Sequence, residues 1–207
     1  MHAKILRRIM AYREQQEQRT ATRVGKKWWV MALLVLSGCT SEPMQWYLLP
    51  ATSAPVVAEP TAPLLVVRSV ELAPYLNGNG LVYRTSETQL LQTQRNLWAQ
   101  DLPAQLTQRI VTDLRSKQTH YWAVAHNPMM KTLDQPTLLV RIDQFNGAYT
   151  GNAEIRGEWS VVDGAGKLQQ THAFRYQIPQ SDDGYPALVE ALSQGFEQVT
   201  TQIADKL

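Results

Sequence analysis

Cys39 is the residue of this 207-residue chain best suited to covalent chemistry. A thiolate there can attack a lipid to form a thioether, and cleavage of the preceding peptide bond frees an amine that can take a further acyl chain. The flanking residues fit that chemistry. Lys26-Lys27 precede an apolar run from Trp28 to Leu36, and Ser37-Gly38 supply small residues immediately before the cysteine. A positive n-region, a short apolar h-region and small residues at the cut make up a secretory signal, and Leu36-Ser37-Gly38-Cys39 has the lipobox pattern. Residues 1–38 are therefore expected to be a signal peptide with an atypically long n-region, and Cys39 the first residue of the mature chain. The run is far short of the roughly 20 residues that a bilayer span needs.

Lipid on Cys39 is the one covalent group the sequence implies, and no other cofactor is expected. Each buried methylene contributes about 0.8 kcal/mol, so a single acyl chain holds marginally and two or more hold firmly. Thr40 and Ser41 follow the cysteine, and neither is the aspartate that resembles an inner-membrane retention signal. The expected address is the outer membrane, facing the periplasm. A lone cysteine leaves no intramolecular disulfide to propose.

Elsewhere the chain is poor in catalytic patterns. It has no G-x-S-x-G, no H-E-x-x-H and no phosphate-cradling glycine loop with a lysine, so no enzymatic activity is expected. His120 and His126 near Asp134 could be read as metal ligands, but solvated loop histidines are the commoner case, and no metal site is expected. His172 falls on the inward register of a strand and is read as a hydrogen-bonded core histidine. Glu154, Arg156 and Glu158 fall on the outward register and are read as solvated charges. Asp182-Asp183-Gly184-Tyr185 lacks most of a calcium loop and is read as a helix-capping turn.

Charge excludes another class. Of 20 Lys/Arg and 18 Asp/Glu, residues 1–38 hold eight and two. The remaining 169 residues carry 12 and 16, a net charge of −4, so a nucleic-acid role has no electrostatic footing.

The elements follow from periodicity. Met44 to Leu49 reads as a short first strand, and residues 50–63, with four prolines, read as an extended linker or surface loop. Leu64–Leu72 and Leu81–Ser86 read as two strands joined by the turn-forming run Asn77-Gly78-Asn79-Gly80, with a weaker strand at Gln89–Thr93. Leu102, Leu106, Ile110 and Leu114 recur every four residues behind Asp101 and Pro103, predicting an amphipathic helix over 101–117. Tyr121–Val124 and Thr137–Phe145 read as strands. Ala153, Ile155, Gly157, Trp159 and Val161 alternate with polar residues, Asp163-Gly164-Ala165-Gly166 turns the chain, and Leu168, His172, Phe174, Tyr176 and Ile178 return, predicting a long hairpin. Leu188, Leu192, Phe196, Val199, Ile203 and Leu207 predict a closing helix. The expected fold is α+β, a two-layer sandwich of a mainly antiparallel sheet with two amphipathic helices on one face. One domain, 64–207, is expected behind a segment 39–63 made of the lipidated N-terminus, the short strand and the Pro-rich linker.

Tyr75 through Ser86, Asn96-Leu97-Trp98-Ala99, Phe145-Asn146-Gly147 and Gly157-Glu158-Trp159, in that order and spacing, resemble the PqiC-type ABC-transport auxiliary lipoproteins. The resemblance runs from the lipobox into the last helix. It implies an outer-membrane lipoprotein that serves lipid trafficking and envelope integrity, docked to a PqiB-like MCE protein and indirectly to a PqiA-like inner-membrane protein. It also implies a ring-forming homo-oligomer. Tyr75, Asn77, Gly78, Asn79, Gly80 and Trp98 lie in the segments most like the family and are the interface candidates; for Tyr75 and Trp98 a plain core role fits equally well. The rival reading from another class is an outer-membrane lipoprotein that activates a periplasmic cell-wall synthase, which needs the same anchor, tether and small domain.

The anchor assignment yields a direct test. Serine cannot supply the thioether sulfur, so Cys39→Ser should accumulate as an unprocessed precursor with no incorporation of radiolabelled palmitate. A serine variant that is still labelled would refute the lipobox.

Overall fold

The computed structural model describes residues 43–51, 54–129 and 134–207. Residues 1–38, expected to be a signal peptide, and Cys39 lie outside the described residues. The elements are β1 (Gln45–Tyr47), β2 (Leu64–Val67), β3 (Glu71–Leu72), β4 (Gly80–Arg84), β5 (Leu90–Trp98), α1 (Leu102–Lys117), β6 (Trp122–Ala125), β7 (Thr137–Ala148), β8 (Asn152–Val162), β9 (Leu168–Pro179) and α2 (Tyr185–Lys206), with a 3-10 turn at Pro74–Leu76. The architecture is the α+β sandwich expected, built on one mixed sheet.

β7 is the strand around which the sheet is organised. Along one edge it pairs antiparallel with β8 from Thr137 to Gly147, and β8 pairs antiparallel with β9 over nearly its whole length. This is the hairpin that the period-2 alternation predicts. Along the other edge β7 meets three short parallel partners in turn: β2 near Leu138, β3 at Arg141 and Ile142, and β4 at Gly147 and Ala148. β2 carries β6 outward in parallel, while β4 carries β5 antiparallel and β5 carries β1 in parallel.

Leu64–Leu72 and Leu81–Ser86 are joined through Asn77-Gly78-Asn79-Gly80 as expected, but they do not pair with each other. Both segments lie parallel to β7, and the loop carries the chain from one to the next, so the hairpin is formed instead by β4 and β5. Turn-forming residues mark where a chain changes direction, but the partner of each strand is set by long-range packing.

A bulge in β7 sets which side chains face the core. The register against β8 shifts between Ile142 and Gln144, leaving Asp143 as the extra residue. Leu138, Val140 and Ile142 are buried before the shift, and Phe145 after it, so the inward set changes from even to odd numbers while staying on one face. Their partners Val161, Trp159, Gly157 and Ile155 keep strict alternation along β8.

Both helices cover this face. α1 starts as the sequence predicts, with the Asp101 carboxylate accepting from the Ala104 N–H at 3.2 Å and proline in the first turn. Gln118 closes it: its Nε2 donates to the carbonyls of Leu114 and Tyr121, while its Oε1 accepts from the Tyr121 N–H. α2 buries Leu188, Leu192, Phe196, Val199 and Ile203, the row its periodicity singles out. Phe196 meets Phe145 edge-on at 6.2 Å between ring centroids, and Trp98 lies tilted against Phe145 at the same separation. Full burial of an aliphatic or phenyl side chain contributes about 1.5–3 kcal/mol, so this cluster joins helix to sheet.

The polar side of α1 is buried as well. Gln105, Arg109 and Asp113, four residues apart, are all covered. The segment after β1 lies on them: the Leu49 N–H donates to Gln105 Oε1, and Arg109 Nη1 donates to the Pro50 carbonyl and to Ser193 Oγ. Further on, the N–H groups of Val57 and Ala58 both donate to the Arg115 carbonyl. The Pro-rich stretch is therefore held to the domain on both sides of residues 52–53. Asp113 is fully buried, accepting twice from Arg109 Nε at 2.9 and 3.0 Å and from Thr200 Oγ1 at 2.7 Å.

Two strand residues depart from their expected settings. His172 is half-buried, stacked at 4.7 Å on Trp159 with a ring nitrogen 3.2 Å from Gln170 Oε1, because β9 is the outer strand of its edge. Glu154 is buried at 5% exposure although its register is outward, because the end of β4 supplies Arg84 to cover it. Arg84 grips it through Nε at 2.9 Å and through Nη2, and Asn146 and Gln177 donate to the same carboxylate. Arg156 stays exposed, and Glu158 faces Arg141 at 3.5 Å.

Burial raises the Glu154 pKa, but the bonds and charge of Arg84, aided by Asn146 and Gln177, outweigh it and hold the carboxyl below its usual range. A depressed carboxyl pKa adds stability that is complete above the unfolded-state value of about 4.3 and is lost as pH falls through the lower folded value. Glu154→Gln should therefore lower the melting temperature at pH 7, and the gap to the unaltered protein should narrow below about pH 4. A gap that stays constant from pH 7 to pH 3 would mean the ionised pair contributes nothing.

Candidate functional site

The interface candidates fall around the loop between β3 and β4. Ala73 leads into the 3-10 turn, whose bonds run from the Leu76 N–H to the Ala73 carbonyl and from the Asn77 N–H to the Pro74 carbonyl. Leu76 is buried and pins the turn, leaving Asn77, Gly78 and Asn79 exposed. Asn79 is tied back through its carbonyl, which accepts from the Trp98 N–H at 2.6 Å.

The two glycines are needed for space rather than for a left-handed backbone. Among the described residues, the glycines with positive φ are Gly151, Gly166 and Gly184. A Cβ on Gly80 would lie 2.1 Å from the Thr93 carbonyl oxygen, where β4 and β5 cross an irregular register. A Cβ on Gly78 would meet the far end of the Gln92 side chain at 2.3 Å.

Tyr75 serves the sheet. Its hydroxyl donates at 2.7 Å to the carbonyl of Asp143, the bulged residue of β7, in the gap between the β3 and β4 pairings. Burial pushes the phenol up to about 12, so it keeps its proton and remains a donor at neutral pH. The ring is still 36% exposed, so Tyr75 shows a surface beside the loop. Trp98 does not. At 4% exposure it belongs to the core against Phe145, and it offers no surface in this chain. Of the six residues the sequence singles out near the loop, Tyr75, Asn77, Gly78 and Asn79 are open to a partner, whereas Gly80 and Trp98 position them.

Sequence reasoning misses two apolar surfaces nearby. Among the described residues β5 pairs with β1 only over Asn96 to Trp98, so its outer edge from Leu90 to Arg95 is open, with Leu90 44% and Leu91 52% exposed. β1 shows Met44, Trp46 and Leu48 to solvent at 63%, 57% and 56%. The signal was available, since apolar residues on both registers of β5 and on alternate positions of β1 exceed what one buried face takes up.

A concavity of about 480 Å³ opens where the end of β4 meets the start of α2, lined by Tyr83, Gln180, Asp182, Asp183, Tyr185 and Leu188. Gly184, at φ 100°, is the residue before the helix, and no side chain caps it. Asp182 instead accepts from the N–H of its neighbour Asp183 at 2.8 Å, so the expected capping turn leads into a glycine start with no side-chain cap. Both carboxylates are exposed. His120, His126 and Asp134 are exposed too, and among the described residues no three His, Cys, Asp or Glu side chains gather into a metal site. No helix among the described residues is long and apolar enough to cross a membrane.

Residues 47–204 match the family model described as ABC-type transport auxiliary lipoprotein component. The chain is 36% identical over 187 residues to the intermembrane transport lipoprotein PqiC of Escherichia coli K12, an alignment that covers 88% of this chain and 97% of that protein. The Shigella flexneri protein of the same name matches to the same extent. Among solved structures, an uncharacterized protein of 34% identity superposes with a TM-score of 0.67 over 80% of this chain and 99% of its own. A Xanthomonas campestris protein of 19% identity shares the fold, with a TM-score of 0.61 over 77% and 92%.

The glycine geometry gives an asymmetric expectation. Gly80→Ala forces a Cβ onto a strand carbonyl and should cost about 1–3 kcal/mol in urea unfolding. Gly78→Ala needs only Gln92 to swing aside and should stay within about 0.5 kcal/mol. Equal losses at the two positions would contradict the contact assigned to Gly80.

Proposed function

Because the chain belongs to the ABC-type transport auxiliary lipoprotein family, we propose that it is the outer-membrane subunit of a PqiABC-like MCE transport system. It acts as a docking and ring-forming component for lipid movement across the periplasm. The observation that carries this reading is the near end-to-end identity with PqiC, which spans 97% of that relative instead of one shared motif. Its partners are a PqiB-like MCE protein directly and a PqiA-like inner-membrane protein through it.

The surface supports a scaffold that binds other proteins. The open edge of β5 can accept another strand, and its exposed Leu90 and Leu91 would be covered by the addition of a second copy. The exposed Tyr75 ring beside Asn77, Gly78 and Asn79 suits the tip of a partner, since tyrosine contributes area at small entropic cost. Catalysis has no part in this reading. The two carboxylates of β8 are each opposed by an arginine, Glu154 by Arg84 and Glu158 by Arg141.

Purification of the tagged chain from native membranes, with mass identification of what comes with it, tests the assignment. The expected outcome is recovery of an MCE-domain protein together with a homo-oligomer of this chain. Deletion of the gene should sensitise the envelope to detergent most strongly when parallel MCE systems are removed as well. A chain that stays monomeric at high concentration and brings down no MCE protein would overturn the proposal, and recovery of a cell-wall synthase in its place would favour the rival reading.

A further inference from the structure

β1 presents two different faces. Tyr47 and Leu49 turn inward and pack on the core, and the Tyr47 hydroxyl reaches Asn96 Oδ1 at 3.3 Å. Met44, Trp46 and Leu48 alternate with them and are each more than half exposed. Trp46 lies opposite Leu97 of β5. The result is a short apolar stripe.

Its position in the chain says what covers it. Met44 is five residues from Cys39, and five extended residues span at most about 18 Å. From Cys39 to Ala58 the single charged residue is Glu42. Acyl chains on Cys39 would thus keep the stripe within a few headgroup thicknesses of the bilayer, where tryptophan side chains concentrate. A single exposed aliphatic residue needs no explanation, whereas three in register beside a lipid attachment point share one.

We propose that Met44, Trp46 and Leu48 form a second membrane contact, which enters the headgroup–acyl boundary of the bilayer that holds the anchor. The proposal rests on acylation of Cys39 and adds to it. The acyl chains supply residence on the membrane, and the stripe fixes which side of the domain faces the lipid.

Trp46 is its own reporter. In the mature chain the other tryptophans are Trp98 and Trp159, both buried, and Trp122, covered by Arg115 at 4.1 Å. The acylated chain, with its lipid verified by mass, is reconstituted into phosphatidylethanolamine–phosphatidylglycerol vesicles containing lipids brominated on the acyl chain. The expected result is quenching and a blue shift of the Trp46 contribution, defined as the difference from Trp46→Gln. A triple variant, Met44→Gln, Trp46→Gln and Leu48→Gln, should melt as the unaltered protein does, since these side chains are exposed, and should lose the quenching. An acylated chain whose Trp46 is open to acrylamide and untouched by brominated lipid overturns the stripe and leaves the anchor standing. Trp46 shielded from acrylamide without vesicles, with an oligomer mass that falls in the triple variant, also overturns it, because the stripe is then a contact between copies. A mature chain with no lipid on Cys39 removes the anchor, and this proposal with it.

Discussion

The rest of the structure depends on how β7 satisfies its two edges. A buried strand must pair every N–H and carbonyl, and β8 does this along one side without a break save the bulge. On the other side no single strand does so. The Arg68 N–H donates to the Leu138 carbonyl and the Ala73 N–H to the Ile142 carbonyl; Tyr75 then reaches Asp143, and β4 takes over at Gly147 and Ala148. The chain from Leu64 to Arg84 is thus laid along β7 in one pass, with strand backbone where it can pair and the Tyr75 hydroxyl in the gap between β3 and β4. That pass determines where the loop at Asn77–Asn79 emerges, and it brings Arg84 over Glu154.

This explains which parts of the fold were legible in the sequence. α1 and α2 bury a periodic row, and β8 and β9 alternate between a wet and a dry side, so each announces itself locally. Residues 64–84 do not. Leu64–Val67 is apolar throughout, as a strand with neighbours on both edges should be, and nothing in such a run says whether the neighbour is parallel. The bulge at Asp143 is equally silent, although it reverses the parity of every later residue in β7. Glu154 shows the same limit from another side. Its outward register was read correctly, but its burial comes from a residue 70 positions away.

Two ion pairs, Arg109–Asp113 buried and Arg84–Glu154 with its arginine partly exposed, fix outlying chain to the body of the domain. Arg84–Glu154 ties the end of β4 to β8, and Arg109–Asp113 holds the segment after β1 through the Pro50 carbonyl. Buried pairs repay little of their desolvation cost, and removal of one partner is far worse than replacement of both. What they supply here is selectivity. Arg109 can satisfy its donors at once only with Asp113, Ser193 and Pro50 all in place, so α1, α2 and the N-terminal segment are held in one arrangement. The stripe of Gln105, Arg109 and Asp113 is the sequence signal for this, a polar row at helical spacing that looks like a solvated face until a strap covers it.

The strap also changes what a lipid anchor could do. A Pro-rich tether that swings freely would let the domain take any orientation above a membrane. Here the chain is bonded from β1 onward, at Leu49 to Gln105, at Pro50 to Arg109 and at Val57 and Ala58 to Arg115. Load on an acylated Cys39 would reach β1 within a few residues of the anchor, and β1 would deliver it to the sheet through β5 and to α1 through the strap. A short leash attached at a defined edge restricts orientation as well as distance, because each extra free residue widens the accessible volume. The parallel pairing of three residues of β1 with β5 is what would impose that restriction on an acylated chain.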